Sequence, residues 1–347
     1  GDRYREAVNF ANQKWPMVEL KDICVVDWGN TELTKKSYVE NGEYLGVSAA
    51  GCDGRMKHFE HEVGTVVLSA IGANCGRVFY PNEKFTAIKN TITFTPDKEK
   101  LYPKFLFYIL NNNTLPKRGG GQPFMTKGDV TKYKIPLPPL EVQKEIVEQI
   151  EVKQKAIEAA KAVIENLEKE RRYFGQSLRK LKDVEWVELG EVITLEYGKP
   201  MKEEDRKGGE YPVFGSNGVV GYHNEYLAKG PFIVVGRKGT AGAVTYSEKN
   251  GFPIDTTFYV KLKNKNIVDL KYLYYTMTNL KLGKVNIQSG VPGLNRNDAY
   301  KVKIPLPPLE IQKQLVAEME EQEKIIEANK KLIGIMEQKI TEVLNDI

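Results

Sequence analysis

Apolar positions along this chain follow two different periods. Over roughly 140–181 and 309–347 they recur every three or four residues. In the first stretch Ile150, Ile157, Ile164 and Leu178 share one heptad position, with Arg171 interrupting, and Ala160, Leu167, Phe174 and Leu181 share the other. In the second, Met319, Ile326, Ile333, Ile340 and Ile347 form one seam and Met336 and Val343 the other. Such a sustained seam predicts long coiled-coil helices, each needing a partner. Asn329 falls on the seam, where an amide costs stability but fixes register. Elsewhere the pattern shortens to β-branched runs between turn residues, predicting strands at 63–69, 91–95, 232–236 and 256–260. Residues 102–110 predict an aromatic helix with Pro103 in its first turn, and Lys271-Tyr272-Leu273-Tyr274-Tyr275 repeats its Lys104-Phe105-Leu106-Phe107-Tyr108.

That echo is part of a larger repeat. Lys134-Ile135-Pro136-Leu137-Pro138-Pro139-Leu140-Glu141-Val142-Gln143-Lys144 returns 169 residues later as Lys303-Ile304-Pro305-Leu306-Pro307-Pro308-Leu309-Glu310-Ile311-Gln312-Lys313. The period is too long for a solenoid unit and marks two copies of a whole domain. Arg3-Tyr4 and Val18-Glu19-Leu20 return as Arg172-Tyr173 and Val187-Glu188-Leu189, so the chain begins inside the repeat. The predicted fold is α+β: two strand-rich domains, pseudo-repeated and separated by a pair of long antiparallel coiled-coil helices. The expected divisions are an N-terminal helix (1–14) closing the circular repeat, a first lobe (15–133), a joint and central helix (134–183), a second lobe (184–302), and a joint and C-terminal helix (303–347).

Composition narrows the class only a little. The formal net charge is +5, but residues 16–130 carry 14 Lys and Arg against 13 Asp and Glu, and residues 184–300 carry 15 against 13. Nucleic acid would therefore meet local basic loops, not a uniformly basic domain. Three cysteines, Cys24, Cys52 and Cys75, suit reduced thiols and a cytoplasmic setting. No apolar run approaches the roughly 20 residues needed to span a bilayer.

Catalytic signatures do not emerge. The segment from Gly236 to Gly242 lacks the Gly-x-x-x-x-Gly-Lys-Ser/Thr pattern and no helical period follows it, which excludes a phosphate-binding loop of that kind. Cys52, His58, His61 and Cys75 offer zinc-type ligands without zinc-type spacing, so no metal site is expected. Neither an amino-methylation motif nor a dinucleotide fingerprint is found.

The doubled Pro-Leu-Pro-Pro-Leu-Glu-x-Gln-Lys joint, the duplicated lobe-plus-helix plan, and Val235-Gly236-Arg237-Lys238-Gly239-Thr240-Ala241-Gly242-Ala243-Val244 resemble the specificity (S) subunits of type I restriction–modification enzymes. The resemblance covers essentially the whole chain. It implies a non-catalytic subunit whose two lobes are target-recognition domains for double-stranded DNA. Each lobe would read one half of a split, asymmetric site. It further implies two methyltransferase (M) subunits docked on the helices and carrying S-adenosylmethionine, and restriction (R) subunits using ATP and magnesium. Two other readings remain open: the specificity subunit of a related two-component methyltransferase-nuclease, and a coiled-coil scaffold with two lobes for ligands other than DNA.

Candidate DNA contacts follow from residue chemistry. The glycine-rich basic loop 115–123 offers Lys117, Arg118 and Gln122, with Lys127 just beyond. Its counterpart at 284–292 offers Lys284 and Gln288, and Arg296 answers Lys127. Ser216, Asn217, Tyr222 and His223 supply amides and aromatics in the second lobe, and Ser48, Arg55, Lys57 and His58 occupy the corresponding stretch of the first. Arg237, Lys238 and Thr240 are candidates on a segment that reads equally well as a tight turn between core strands.

Overall fold

The computed structural model describes residues 14–112, 115–180, 184–206, 208–280, 282–284 and 293–347; the side chains of 172–180 and 284 lie outside the description. It divides into two compact units, residues 1–160 with 331–347, and residues 161–330. The expected N-terminal helix falls at 1–14, of which only Lys14 is among the described residues.

In the first unit the strands are β1 (Met17–Glu19), β2 (Cys24–Trp28), β3 (Tyr44–Ser48), β4 (Gly51–Met56), β5 (Val66–Ser69), β6 (Val78–Phe79), β7 (Phe85–Ala87) and β8 (Thr91–Pro96). Helices α1 (Pro103–Asn112) and α2 (Lys127–Thr131), strand β9 (Lys134–Pro136) and the long helix α3 (Leu140–Lys180) follow. A four-stranded sheet in the order β2-β8-β5-β6 and a three-stranded sheet β4-β3-β7 make the lobe. The larger sheet lays Val66, Leu68, Ile92 and Phe94 against Phe105, Leu106 and Ile109 of α1, all at most 3% exposed. Each such side chain contributes about 1.5–3 kcal/mol by leaving water. The strand expected at 63–69 starts three residues late: Val63 is exposed, and Gly64 turns the chain at φ 100°.

The second unit repeats this order. After the end of α3 come β10 (Glu185–Glu188), α4 (Leu189–Val192), β11 (Ile193–Tyr197), β12 (Tyr211–Gly215), β13 (Gly218–His223), β14 (Phe232–Gly236), β15 (Val244–Ser247), β16 (Phe252–Pro253) and β17 (Thr257–Leu262). Then come α5 (Leu270–Asn279), α6 (Arg296–Tyr300), β18 (Lys303–Leu306) and α7 (Leu309–Asn345). The sheets are β11-β17-β14-β15 and β13-β12-β16, the first lobe's order strand for strand. Even a register shift recurs, between Gly46 and Val47 in β3 and between Val213 and Phe214 in β12.

The doubled joint has a concrete reason. Its first three residues are a strand paired with the other repeated segment: Val18 faces Ile135 in β1–β9, and Val187 faces Ile304 in β10–β18. Its glutamine is fully buried in both copies. Gln143 accepts from the Tyr102 N–H at 2.8 Å and donates to the carbonyls of Lys100 and Pro138 at 2.9 and 2.8 Å. Gln312 does the same with the Asp269 N–H and the carbonyls of Ile267 and Pro307, at 2.8, 2.9 and 2.8 Å. A buried amide that satisfies three backbone groups ties the start of each long helix to the entry of the aromatic helix.

The seams behave as coiled-coil positions. Ile150, Ile157, Ala160, Met319 and Ile326 are buried, and Ile164, Leu167, Ile333, Met336, Ile340 and Val343 are half-buried. Phe174, Leu178 and Leu181 fall outside the described side chains. Within the first unit, Leu344 and Ile347 pack on the core that also takes Val147, so the end of α7 lies by the beginning of α3. Within the second unit, Arg171 near the end of α3 donates to Glu323 in the first half of α7 at 2.6 Å. Both contacts have the antiparallel sense. Arg171 interrupts the apolar repeat because it is used as an ion-pair partner, and the Tyr275 hydroxyl donates to the other Glu323 oxygen at 3.0 Å.

Candidate nucleic-acid interface

The turns at one end of each lobe bring the basic candidates together. In the second lobe, β11 ends at Tyr197, paired across to Phe258 on β17, which in turn pairs with Val235 on β14. Arg237 and Lys238 follow β14, both donating backbone N–H to the Thr256 carbonyl. The Arg237 carbonyl then accepts from Leu294, seating the segment that begins α6 with Arg296. The result is a cleft of about 390 Å³ lined by Tyr197, Arg237, Lys238, Phe258 and Asn295–Asn297. Both guanidiniums lie 5.2 Å from the centre of the Tyr197 ring, which is about half exposed. That separation is within the range of cation–π attraction. Among the described residues no carboxylate lies within 4 Å of Arg237, Lys238 or Arg296.

The segment from Gly236 to Gly242 is the tight turn between β14 and β15. Gly242 donates to the Gly236 carbonyl at 2.7 Å, and strand β15 follows it. Thr240 is exposed on this turn. A Cβ at Gly236 would sit 2.9 Å from the Ser216 carbonyl, so the β12–β13 turn with Ser216 and exposed Asn217 packs against the same loop. Tyr222 and His223 stand at the other end of β13, roughly 15 Å away at 3.3 Å per residue. His223 Nδ1 lies 2.9 Å from the Asp205 carbonyl, and its ring packs on Phe252. Lys284 keeps only its backbone in the description, and Gln288 lies outside the described residues.

The first lobe sets other side chains at the equivalent positions. Trp28 ends β2 opposite Ile92, as Tyr197 ends β11 opposite Phe258. Ala70 and Ile71 stand where the second lobe has Arg237 and Lys238: Met125 donates to the Ala70 carbonyl as Leu294 does to that of Arg237. Lys127 opens α2 as Arg296 opens α6, but its ammonium donates to Asp27 at 3.0 Å. That bond and the Trp28 N–H hold the Asp27 carboxyl below the usual range. Glu196 occupies the corresponding place in the second lobe and makes no ion pair with Arg296. The loop 115–123 is closed by paired backbone bonds between Arg118 and Phe124, and Gly119 turns at φ 81°. Lys117, Arg118 and Gln122 are exposed on it. Arg118 is paired with Asp129, whose carboxyl is held low first by the Thr126 hydroxyl and then by that guanidinium.

The stretch from Ser48 to His58 divides in two. Ser48 is 4% exposed, and its hydroxyl donates to Asp53 at 2.9 Å while accepting from the Ala50 N–H at 3.0 Å, which commits it to holding the β3–β4 turn. Arg55, Lys57 and His58 lie toward the far end of that hairpin, Arg55 bridged to Glu83 at 3.0 Å, so they do not join the cluster around Lys117 and Lys127. Trp28, Tyr197, Asn295, Asn297 and the pairing acid Asp27 were missed as candidates. A signal existed: Asp27-Trp28-Gly29 returns at the repeat offset as Glu196-Tyr197-Gly198. The glycines permit close backbone approach, since a Cβ at Gly29 would sit 2.7 Å from the Ile88 carbonyl and one at Gly198 2.0 Å from that of Ile254.

Comparison with known proteins now decides the family. The model of the type I restriction modification DNA specificity domain matches residues 12–169 and again 181–342. The chain belongs to that family. It carries two such specificity domains, strand-rich lobes each followed by a long helix. A putative type I restriction enzyme specificity subunit of Haemophilus influenzae is 28% identical over 153 residues, 43% of this chain and 40% of that protein. A putative type I specificity subunit of Mycoplasma pneumoniae is 24% identical over 315 residues, 83% of this chain and 84% of the relative. The matched stretch thus spans less than half of the Haemophilus relative and most of the Mycoplasma one. In fold, the specificity chain is similar to the crystal structure of a type I restriction-modification S subunit from M. genitalium, at a TM-score of 0.69, 19% identity and coverage of 98% and 97% of the two chains. No helix of the described residues is long and apolar enough to cross a membrane.

Proposed function

We propose that this chain is the DNA-reading and assembly subunit of a type I restriction–modification complex, and that each lobe reads one half of a split, asymmetric duplex sequence. The observation that carries the reading is equivalence without identity. Two lobes of one strand order present turns, an exposed aromatic and a basic helix start at the same end, yet the side chains differ position by position. A common frame suits a common partner, duplex DNA, and different side chains suit different bases. The paired helices would dock methyltransferase subunits, two in number, with restriction subunits joining them. Chemistry would reside on those partners: S-adenosylmethionine on the methyltransferase, ATP and magnesium on the restriction subunit. The chain itself would be non-catalytic and cytoplasmic.

A methylation assay tests this. With its cognate methyltransferase the chain should direct adenine methylation to one bipartite sequence, and alone it should methylate nothing. Methylation by the isolated chain, or methylation by the pair without sequence preference, would refute the reading.

A further inference from the structure

The second lobe's cleft and the equivalent positions of the first lobe differ sharply in charge. The second holds three cations, Arg237, Lys238 and Arg296, around Tyr197 with no carboxylate in pairing range among the described residues. At the equivalent positions the first lobe has one, Lys127, and it is paired with Asp27; Lys117 and the Asp129-paired Arg118 stand on the neighbouring loop. Both lobes carry an acid at the position before the aromatic, Asp27 and Glu196, so the difference lies in how the charges are disposed and not only in composition.

Like charges gathered in one cleft repel one another, and the arrangement gains stability when an anion enters. The two guanidiniums are steadied on an aromatic ring, which lowers the entropy lost when they bind. The Asn295 side-chain oxygen accepts from the Asn297 N–H at 2.8 Å, capping the helix that Arg296 opens. In the first lobe a phosphate approaching Lys127 must displace a carboxylate already hydrogen-bonded to it, and the pair starts with no net charge.

Resting on the DNA reading above, we propose that the Tyr197–Arg237–Lys238–Arg296 cleft is a phosphodiester anchor, and that this cleft and the equivalent positions around Lys127 share the salt-dependent part of DNA binding unequally, the second lobe carrying more. The ligand is a backbone phosphate of duplex DNA, held by charge and independent of base sequence.

The test is the binding of the full chain to a duplex of arbitrary sequence across a salt series. Each phosphate contact contributes roughly 0.9 to the slope of log affinity against log salt. Arg237→Ala and Arg296→Ala should each flatten the slope by about that amount, and Arg237→Ala/Arg296→Ala by about twice it. Arg296→Lys, which keeps the charge, should retain most of the slope, separating a lost contact from a damaged fold. Lys127→Ala should change the slope by clearly less than Arg296→Ala. Equal effects of those two variants would overturn the unequal sharing while leaving DNA recognition intact. An unchanged slope in both arginine variants would show that neither meets a phosphate and overturn the anchor. A wild-type chain that binds no duplex would remove both the anchor and the function it rests on.

Discussion

Lys127 reaches back 100 residues to donate to Asp27 at 3.0 Å, setting its charge against that of the carboxylate. The contact joins the start of α2 to the end of β2, and it is the clearest electrostatic difference between two lobes that otherwise share a frame. Because both side chains are substantially exposed, the pair adds little to stability. Its consequence is for binding.

Removing the acid should therefore release a cation. Asp27→Asn is expected to steepen the salt dependence of binding to an arbitrary duplex by up to about one unit of slope, with little change in melting temperature. A slope identical to wild type would show that Lys127 does not meet phosphate.

Gln143 makes the opposite kind of contribution. It is fully buried and serves three backbone groups. Gln143→Leu keeps the bulk but strands the Tyr102 N–H and two carbonyls, at a cost on the order of 3 kcal/mol. Thermal unfolding should show a loss of several degrees in the transition of the first unit. Gln312→Leu should act in the same way on the second.

A pH effect follows from His61. Burial holds its imidazole below its usual value, against the opposing pull of Glu60 and Asp27, and its ring packs on Phe85. The unfolded chain therefore takes up a proton before the folded one does. Stability attributable to this residue is full above about pH 6.5 and declines as pH falls through the folded value. The melting temperature of wild type should drop between pH 7 and pH 5 by more than that of His61→Phe. Parallel pH profiles would show that this half-buried ring is not a source of acid sensitivity.

Much of this architecture was legible in the residues, and for identifiable reasons. The repeat at 169 residues located both joints because a buried glutamine with three backbone partners tolerates few replacements in either copy. The heptad seam located the helices because burial follows its spacing from Ile150 to Ile326. The cleft was only half legible. Arg237, Lys238 and Arg296 declared themselves by charge, but Tyr197 carries neither charge nor motif, and only the sheet register sets it beside the β14–β15 turn. Ser48 shows the converse. A polar residue in a candidate loop proved to be buried and committed to Asp53, because side-chain hydrogen bonds within a turn leave no mark on composition.

The central claim is that one chain reads two half-sites with two separable lobes, and methylome sequencing tests it most directly. A host carrying the cognate methyltransferase with this chain should show one new bipartite methylated motif. The same host carrying a chimera, with residues 184–302 replaced by the second lobe of a relative, should show a motif with one half unchanged and the other half replaced. A chimera that folds yet changes both halves, or changes neither, would contradict the account.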